Sequence, residues 1–320
     1  MRALAAGFAV LMLAGCGGGS ASPAPTPTPT TTPAGPHLFV ADAGNNSIFI
    51  FARDASGVAL PQITIAGGAT LLSSPYPVAV DPSGNIWTGN HASPPQLLEF
   101  RPDAVGNSAP VAIMTVSSTL TPGTLGATGL EFGSNGKLYV ATGTNEHILI
   151  YSGGANGAPT PIADISGLNT QINDAEGIAL DSAGNIYTAS MGSNAILEFA
   201  AGANGNVPPV RVIKGVFNTH LNAPSYVAVD HAGDVFTLNA GGIVTEYAPG
   251  ASGDVAPVAT FGGFSINGQM VFDSAGNLYT GASDNTHGVA VYTPPLSSSS
   301  VPNHFLQSSV FSAPTAVFAQ

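Results

Sequence analysis

The sequence is poor in cysteine and in positively charged residues, and each scarcity excludes a class of protein. Cys16 is the only cysteine among 320 residues, so the chain forms no internal disulfide and its folded part must be stabilised by packing. Six Lys and Arg stand against 18 Asp and Glu, which gives a formal net charge of −12 at pH 7. Nucleic-acid binding needs clustered positive charge to replace counterions, so we expect no nucleic-acid partner.

Long apolar runs are also missing beyond the N-terminal segment. A membrane-spanning helix needs about 18 or more consecutive apolar residues, so we expect no span in the rest of the chain. Only 8% of the residues are charged and 44% are hydrophobic, a composition that supports a sizeable core and argues against overall disorder. The 40 glycines and 26 prolines indicate many turns rather than long helices.

The N-terminal residues have the features of a secretory signal followed by a lipid-attachment site. Arg2 supplies a positive charge, and the apolar stretch ALAAGFAVLMLA is too short and poorly flanked for a permanent span. The motif LAGC, which ends at Cys16, resembles the lipobox of bacterial lipoproteins, in which the signal is cleaved before a cysteine that carries diacylglycerol. The alternative is an ordinary signal peptide with an incidental cysteine. We expect a lipoprotein signal peptide over residues 1–15 and lipidation at Cys16.

Residues 16–36 are rich in glycine, proline and threonine and predict a tether. Pro-Thr alternation favours extended polyproline II at about 3.1 Å per residue, so this length reaches roughly 60 Å. We expect an extracytoplasmic protein held by its lipid in the bacterial cell envelope. In a Gram-negative organism we expect the outer membrane, because Gly17 differs from the aspartate that retains many lipoproteins in the inner membrane.

The rest of the chain is built from a repeat that contains a recurring turn. Each turn lies between two short apolar segments, such as GIAL and IYTAS, so each unit begins with a β-hairpin. A second hairpin follows, in which an aromatic residue ends one strand and a proline precedes the next, as at Phe51 and Pro61. Proline suits an outermost strand, which can spare a ladder donor. The turns start at Asp81 (DPSGN), Gly133 (GSNGK), Asp181 (DSAGN), Asp230 (DHAGD) and Asp273 (DSAGN).

Four short strands in a repeat of about 47 residues predict an all-β fold, a β-propeller whose blades surround a channel. The domain opens at His37 with a segment that matches a second and a third strand, and it ends with PTAVFAQ, which matches a first strand. We therefore predict, over residues 37–320, a six-bladed β-propeller of four-stranded blades. Pairing of the C-terminal strand with the N-terminal blade closes it and leaves no exposed sheet ends.

The recurring turn has two interpretations. The aspartate can accept hydrogen bonds from backbone donors inside the turn, while the glycine takes a positive φ. Alternatively, each turn is a cation site, although one aspartate falls far short of the six to eight oxygens that a hard cation needs. Gly133 replaces the aspartate in one unit, which a turn tolerates better than a ligand set does. We expect the turns to be structural.

The combination of P-x-x-V-A-V-D, S-A-G-N-I-Y and a polar residue after the second strand resembles the NHL-repeat family, over residues 37–320. The resemblance implies the propeller fold. It leaves the activity open, because NHL propellers include protein-binding platforms, RNA-binding modules and a few lyases. A neighbouring six-bladed group, related to gluconolactonase, hydrolyses lactones with a calcium ion. A shared fold alone does not choose between such functions.

By topology, one face of the propeller collects polar residues from the ends of second strands and from nearby loops. They either form a polar ring at the channel mouth that binds a small polar ligand or a cation, or bond to loop backbone as short polar residues commonly do. Glu131 is a further candidate residue. It occupies an inner-strand position that is alanine in other blades (Ala79, Ala179 and Ala228), and a carboxylate buried at such a position is costly. The candidate ligand-binding residues are Asp42, Asn90, His91, Glu131, Thr142, Asp174, Glu176, Ser190, His220 and Asn239.

These observations favour a membrane-anchored, extracytoplasmic binding or scaffold module without enzymatic activity or cofactor. We expect a monomer, with an unknown protein or small polar ligand as its partner. No catalytic residue is identified, since nothing resembles a Gly-x-Ser-x-Gly elbow, a phosphate loop or a paired-cysteine metal site. The alternative is a metal-dependent, lactonase-like hydrolase or lyase that holds calcium or zinc at the channel mouth with Glu176, Asp174 and Asn90.

Overall fold

The computed structural model describes residues 35–90, 96–116, 126–263, 266–282 and 288–320. Cys16, the predicted signal, the predicted tether as far as residue 34 and the candidate His91 lie outside these residues. Within the described part the chain forms six antiparallel sheets arranged as the blades of a propeller, which confirms the predicted fold class. None of its helices is long and apolar enough to cross a membrane.

Blade 1 combines both ends of the domain. From the channel outward, its strands are β25 (Pro314–Ala319), β1 (His37–Asp42), β2 (Ser47–Ala52) and β4 (Ile63–Ala66). A two-residue strand, β3 (Gly57–Val58), joins the outer edge of blade 6. Two short 3-10 turns precede blades 2 and 4, at Gly68–Thr70 and Leu168–Thr170.

The other blades each run outward in chain order. Blade 2 contains β5 (Pro75–Val80), β6 (Ile86–Asn90), β7 (Gln96–Phe100) and β8 (Ala112–Thr115). Blade 3 contains β9 (Gly129–Phe132), β10 (Leu138–Ala141), β11 (Ile148–Tyr151) and β12 (Ala163–Ile165). Blade 4 contains β13 (Ala175–Leu180), β14 (Ile186–Ser190), β15 (Ala195–Phe199) and β16 (Arg211–Ile213). Blade 5 contains β17 (Tyr226–Val229), β18 (Val235–Asn239), β19 (Ile243–Tyr247) and β20 (Ala259–Gly262). Blade 6 contains β21 (Ile266–Phe272), β22 (Leu278–Ala282), β23 (Val289–Tyr292) and β24 (His304–Gln307).

The C-terminal strand closes the ring as predicted. β25 pairs antiparallel with β1, so that Val317 lies opposite Val40 and Ala319 opposite Leu38. The Gln320 amide adds a hydrogen bond of 3.0 Å to the His37 carbonyl. Val317 and Val40 are fully buried, so the closure is part of the hydrophobic core rather than a surface contact.

The recurring aspartates act inside their own turns, which confirms the structural interpretation. In blade 4, Asp181 Oδ1 accepts hydrogen bonds from the amides of Ala183 (2.9 Å) and Asn185 (2.8 Å). Gly184 takes a φ of 83°, as the turn requires. In blade 3, which lacks the aspartate, Asn135 Oδ1 takes over by accepting a bond of 2.9 Å from the Lys137 amide.

The outer edges of the blades are joined by contacts that the repeat pattern alone does not reveal. The loop between the third and fourth strands of each blade lies along the outermost strand of the preceding blade. Gly106 of blade 2, with a φ of 58°, donates to the Thr64 carbonyl (2.7 Å) and accepts from the Ala66 amide (2.9 Å). The sixth unit has Ser298 instead of glycine, and its hydroxyl accepts from the Thr260 amide (3.1 Å). The backbone groups of each edge strand thereby form hydrogen bonds that an isolated blade could not provide. The equivalent glycines are Gly57, Gly157, Gly205 and Gly253.

Candidate functional site

The polar residues at the ends of the second strands are buried and hold loops in place. Asp42 is 0% exposed. Its Oδ1 accepts from the amides of Asn45 and Ala313, both at 3.0 Å, and its Oδ2 accepts from the Ser312 amide at 2.8 Å. The carboxylate therefore ties the end of β1 to the segment that leads into the closing strand.

The equivalent residues in blades 2 to 5 make similar loop contacts. Asn90 accepts from the Ser73 amide (2.9 Å) and donates to the Leu71 carbonyl (2.7 Å). Ser190 exchanges two hydrogen bonds with the backbone of Asn173, both at 2.9 Å. The other two members bond to loop backbone in the same manner, Thr142 to His147 and Asn239 to Asn222. The loop-bonding interpretation accounts for these contacts, while a ligand role for the ring stays a prediction.

We name the face that carries these polar strand ends and their loops the loop face. Near it, two tyrosines meet across the channel. Tyr76 and Tyr226 belong to blades 2 and 5, which lie opposite each other in a six-membered ring, and their ring centroids are 6.0 Å apart. Each residue is 8% exposed. Gln269 of blade 6 also reaches blade 2, where its Oε1 accepts a bond of 3.3 Å from the Val78 amide. Among the described residues, these contacts obstruct the channel below the predicted polar ring.

The structure brings two of the three proposed metal ligands together. Burial, followed by the charge and a hydrogen bond of Asp174, raises the pKa of Glu176 to about 7. Asn90 is bonded to a different loop through both amide atoms. His220 is exposed on the loop before blade 5. In the described ranges, no group of three or more His, Cys, Asp and Glu residues is placed to hold a metal ion.

A cavity lies at the opposite end of the channel, the turn face. This turn face carries the hairpin turns between first and second strands, and its cavity has a volume of about 390 Å³. We call it the turn-face cavity and define it by Glu131, Phe132, Asn135, Tyr139, Leu180 and His231. It continues inward between the inner strands of blades 3 to 6 and outward as a groove of about 330 Å³ between blades 3 and 4.

Glu131 lies at the inner end of the turn-face cavity. Its register opposite Tyr139 matches that of Ala79 opposite Trp87 and of Ala179 opposite Tyr187, so the predicted equivalence of these positions holds. The side chain is half-buried and lines the cavity. Burial alone raises the pKa of this carboxyl from 4.5 to about 8. Among the ten candidate residues, it is the one that lines this cavity.

Blade 3 departs from the repeat at a second position beside Glu131. In blades 2, 4 and 6 the turn aspartate accepts from an aromatic side chain, as Asp273 does from the Tyr279 hydroxyl at 3.2 Å. Blade 3 has Gly133 there, and the Tyr139 hydroxyl instead accepts from Asn135 Nδ2 at 3.4 Å. Sequence reasoning noticed both departures but missed Tyr139, Asn135 and His231. Blade 3 has both Glu131 in place of alanine and Gly133 in place of aspartate. That coincidence is the sequence signal that could have directed attention to the residues around them.

Replacing Glu131 by glutamine is expected to change the pH dependence of stability. Because the folded pKa is raised, the folded state binds more protons than the unfolded state between pH 4.5 and about 8. The contribution of Glu131 to stability is therefore present below pH 4.5 and lost as pH rises through this window. At pH 8.5 the variant should be more stable than wild type by roughly 1–3 kcal/mol after allowance for screening, with a difference near zero at pH 4.5.

Urea denaturation at several pH values measures this difference. Asp54→Asn is the control, because Asp54 is exposed and its replacement removes one carboxylate without altering the cavity. Stability curves of wild type and Glu131→Gln that run parallel from pH 5 to 8.5 would show that Glu131 is ionised in the folded protein at all these pH values.

Comparison with known proteins identifies the class of fold. No family model and no curated protein matches the sequence. The structure is similar to a protein of unknown function from Bacteroides caccae, with a TM-score of 0.63 at 13% identity over 89% of this chain and 99% of that one. A functionally unknown protein from Desulfotomaculum acetoxidans gives a TM-score of 0.58 at 14% identity over 88% and 98% of the two chains. These similarities show the fold and carry no function.

Proposed function

We propose that this protein is a lipid-anchored, extracytoplasmic binding module of NHL-like type, which acts without catalysis and uses the turn-face cavity as its ligand site. The observation that carries the proposal is the cavity itself. It lies at one end of a ring closed by strand pairing, and it contains a carboxyl group in a position that other blades fill with alanine. Concave sites with a few polar groups in a largely apolar lining are typical of small-ligand binding.

Ligand-observed NMR with a set of small polar compounds tests the site. Ser182→Trp places an indole over the cavity from an exposed turn position, so it should abolish binding of the compounds that wild type retains. Ser274→Trp is the matched control, because Ser274 occupies the same turn position in blade 6, outside the cavity. Equal loss in both variants, or loss in neither, would contradict a ligand site at the turn face.

The metal-dependent hydrolase or lyase remains the alternative. It uses Asp174 and Glu176, which the structure places together, and Asn90, whose amide is bonded to the backbone of residues 71 and 73. Metal analysis of the purified protein separates the two functions, since stoichiometric calcium or zinc would favour the enzyme. No observation on the structure favours it over the binding module.

The proposed lipid anchor determines which face of the propeller points away from the membrane. The described chain reaches β1 at His37, at the turn-face end of blade 1, so a tether there would hold the loop face away from the membrane. A maleimide that does not cross membranes should therefore label Leu168→Cys on the loop face faster than Ala183→Cys on a hairpin turn, in whole cells. Both positions are exposed, and the lipidated Cys16 thiol does not react. Slower labelling at residue 168 would overturn this orientation. The anchor itself is tested separately: Cys16→Ser should release the protein from membranes.

A further inference from the structure

The turn-face cavity holds a carboxyl group without a cationic partner from the protein. Among the described residues, no Lys or Arg lines the part of the cavity that contains Glu131. Lys137 lines only the outer groove, where its side chain is exposed. A carboxylate that is partly withdrawn from water is costly unless it is paired, so a cationic group that entered the cavity would supply the missing partner.

The walls of the cavity suit an organic cation better than a metal ion. Phe132, Tyr139 and Leu180 surround the approach to Glu131 with aromatic and aliphatic surface. Aromatic rings attract an ammonium group through their faces. A calcium ion instead requires six to eight oxygen ligands. Asp181 and Asp230 are the other carboxylates here, and both accept backbone hydrogen bonds within their own turns.

The shape of the site sets the form of the ligand. The cavity opens into the groove between blades 3 and 4, which runs from Tyr139 past Ile150 to Ile162 near the outer edge. An unbranched alkyl stem can lie along the isoleucines of this groove, Ile150, Ile162 and Ile186, while its charged end reaches the channel.

We infer that the turn-face cavity binds the ammonium end of a slender alkylamine, with Glu131 as its counter-ion and the groove between blades 3 and 4 holding the alkyl stem. The inference rests on the proposed function and names the chemical class of its ligand. The amine can be a free small molecule or the side chain of a lysine, and both present the same group to Glu131.

The ionisation of Glu131 couples binding to pH. The carboxyl is largely protonated at pH 7, because its pKa lies near 8, so an ammonium ion must displace a proton when it binds. Affinity should rise about tenfold per pH unit from pH 6 to 7 and level off above pH 8. The titratable groups that face Glu131 across the cavity are Tyr139, Asp181, Asp230 and His231, and a His231→Asn background removes the histidine as a source of pH dependence.

Isothermal titration calorimetry with n-pentylamine tests the inference, with 1-pentanol as the neutral probe of matched length. We expect pentylamine to bind at pH 7.5 with release of about three quarters of a proton and pentanol to bind at least about tenfold more weakly. Glu131→Gln should weaken pentylamine about 10–100-fold and remove the pH dependence, because a charge-assisted bond is lost. Glu99→Gln, a carboxyl on β7 away from the channel, is the matched control and should bind as wild type does.

Folding and ligand source are controlled separately. Ser182→Trp blocks the cavity without touching Glu131, so it should lose pentylamine even if Glu131→Gln folds poorly. Tighter binding of N-acetyl-lysine methylamide than of pentylamine would indicate a lysine side chain, and the reverse order a free amine. Equal binding of pentanol and pentylamine, or unchanged amine binding in Glu131→Gln, overturns the inference. Neutral compounds that bind wild type but not Ser182→Trp would then leave the proposed function intact.

Discussion

Removing Pro314–Gln320 is expected to abolish the closed, cooperatively folded ring. These residues contain β25, the innermost strand of blade 1, in which Ala316 and Val317 are 0% exposed. Without them β1 becomes an open edge, and the inner surfaces of blades 2 and 6 lose the strand that lies between them. The loss should be comparable with the whole stability of a domain, which is about 5–15 kcal/mol.

Circular dichroism, thermal melting and size-exclusion chromatography measure this result. We expect the truncated protein to aggregate or to show a broad transition of low amplitude. A synthetic peptide of residues 312–320 should restore a cooperative transition when added in excess, because it supplies the missing strand in trans. Thr315→Ala is the control, since it keeps the strand and removes only one hydroxyl donor, which lies 3.4 Å from the carbonyl oxygens of Ala41 and Pro75. A truncated protein that melts with wild type would contradict the closure.

Replacing Asp42 by alanine is expected to lower the free energy of unfolding by about 3–5 kcal/mol. Three backbone amides, those of Asn45, Ser312 and Ala313, would lose their acceptor in a fully buried site. A buried donor without an acceptor costs the desolvation energy of the group. The effect is large because these bonds join the first and the last strands of the domain.

Urea denaturation compares Asp42→Ala with two controls. Asp42→Asn keeps the acceptor for two of the amides and places an NH₂ group towards the third, so an intermediate loss is expected. Asp54→Ala removes an exposed carboxylate of the same blade and should change stability by less than about 0.5 kcal/mol. If Asp42 instead served a ligand at a polar ring, Asp42→Ala would keep wild-type stability and lose only binding.

The turn motif and the strand pattern made the fold predictable. Each Asp-x-x-Gly turn forms its backbone hydrogen bonds within five residues, as Asp181 does with Asn185, so the local sequence contains the interactions that shape the turn. In the repeat pattern, no first strand precedes His37 and no second strand follows PTAVFAQ. The pattern therefore predicted that the two ends pair with each other, as they do. Local patterning and the repeat therefore determined the blades, their number and the way in which the ring closes.

The form of the channel depended on contacts between distant residues. Tyr76 and Tyr226 are 150 positions apart and lie one position out of step in the repeat, yet they meet across the axis near the end where the polar residues lie. From the sequence, the polar residues at the ends of the second strands could be taken for ligand-binding residues. The same short polar residue types hydrogen-bond to loop backbone and to ligands, so residue type alone does not separate the two roles.

The sequence by itself determined that this chain is a closed ring of six four-stranded blades, because turn geometry, strand alternation and repeat length are local properties. Only the tertiary structure decided that a cavity lies at the turn face and that Glu131 lines it together with Tyr139 of the same blade and His231 of another. Those outcomes depend on side chains that meet across the channel and between blades, and the volume left between them is not a property of any single repeat.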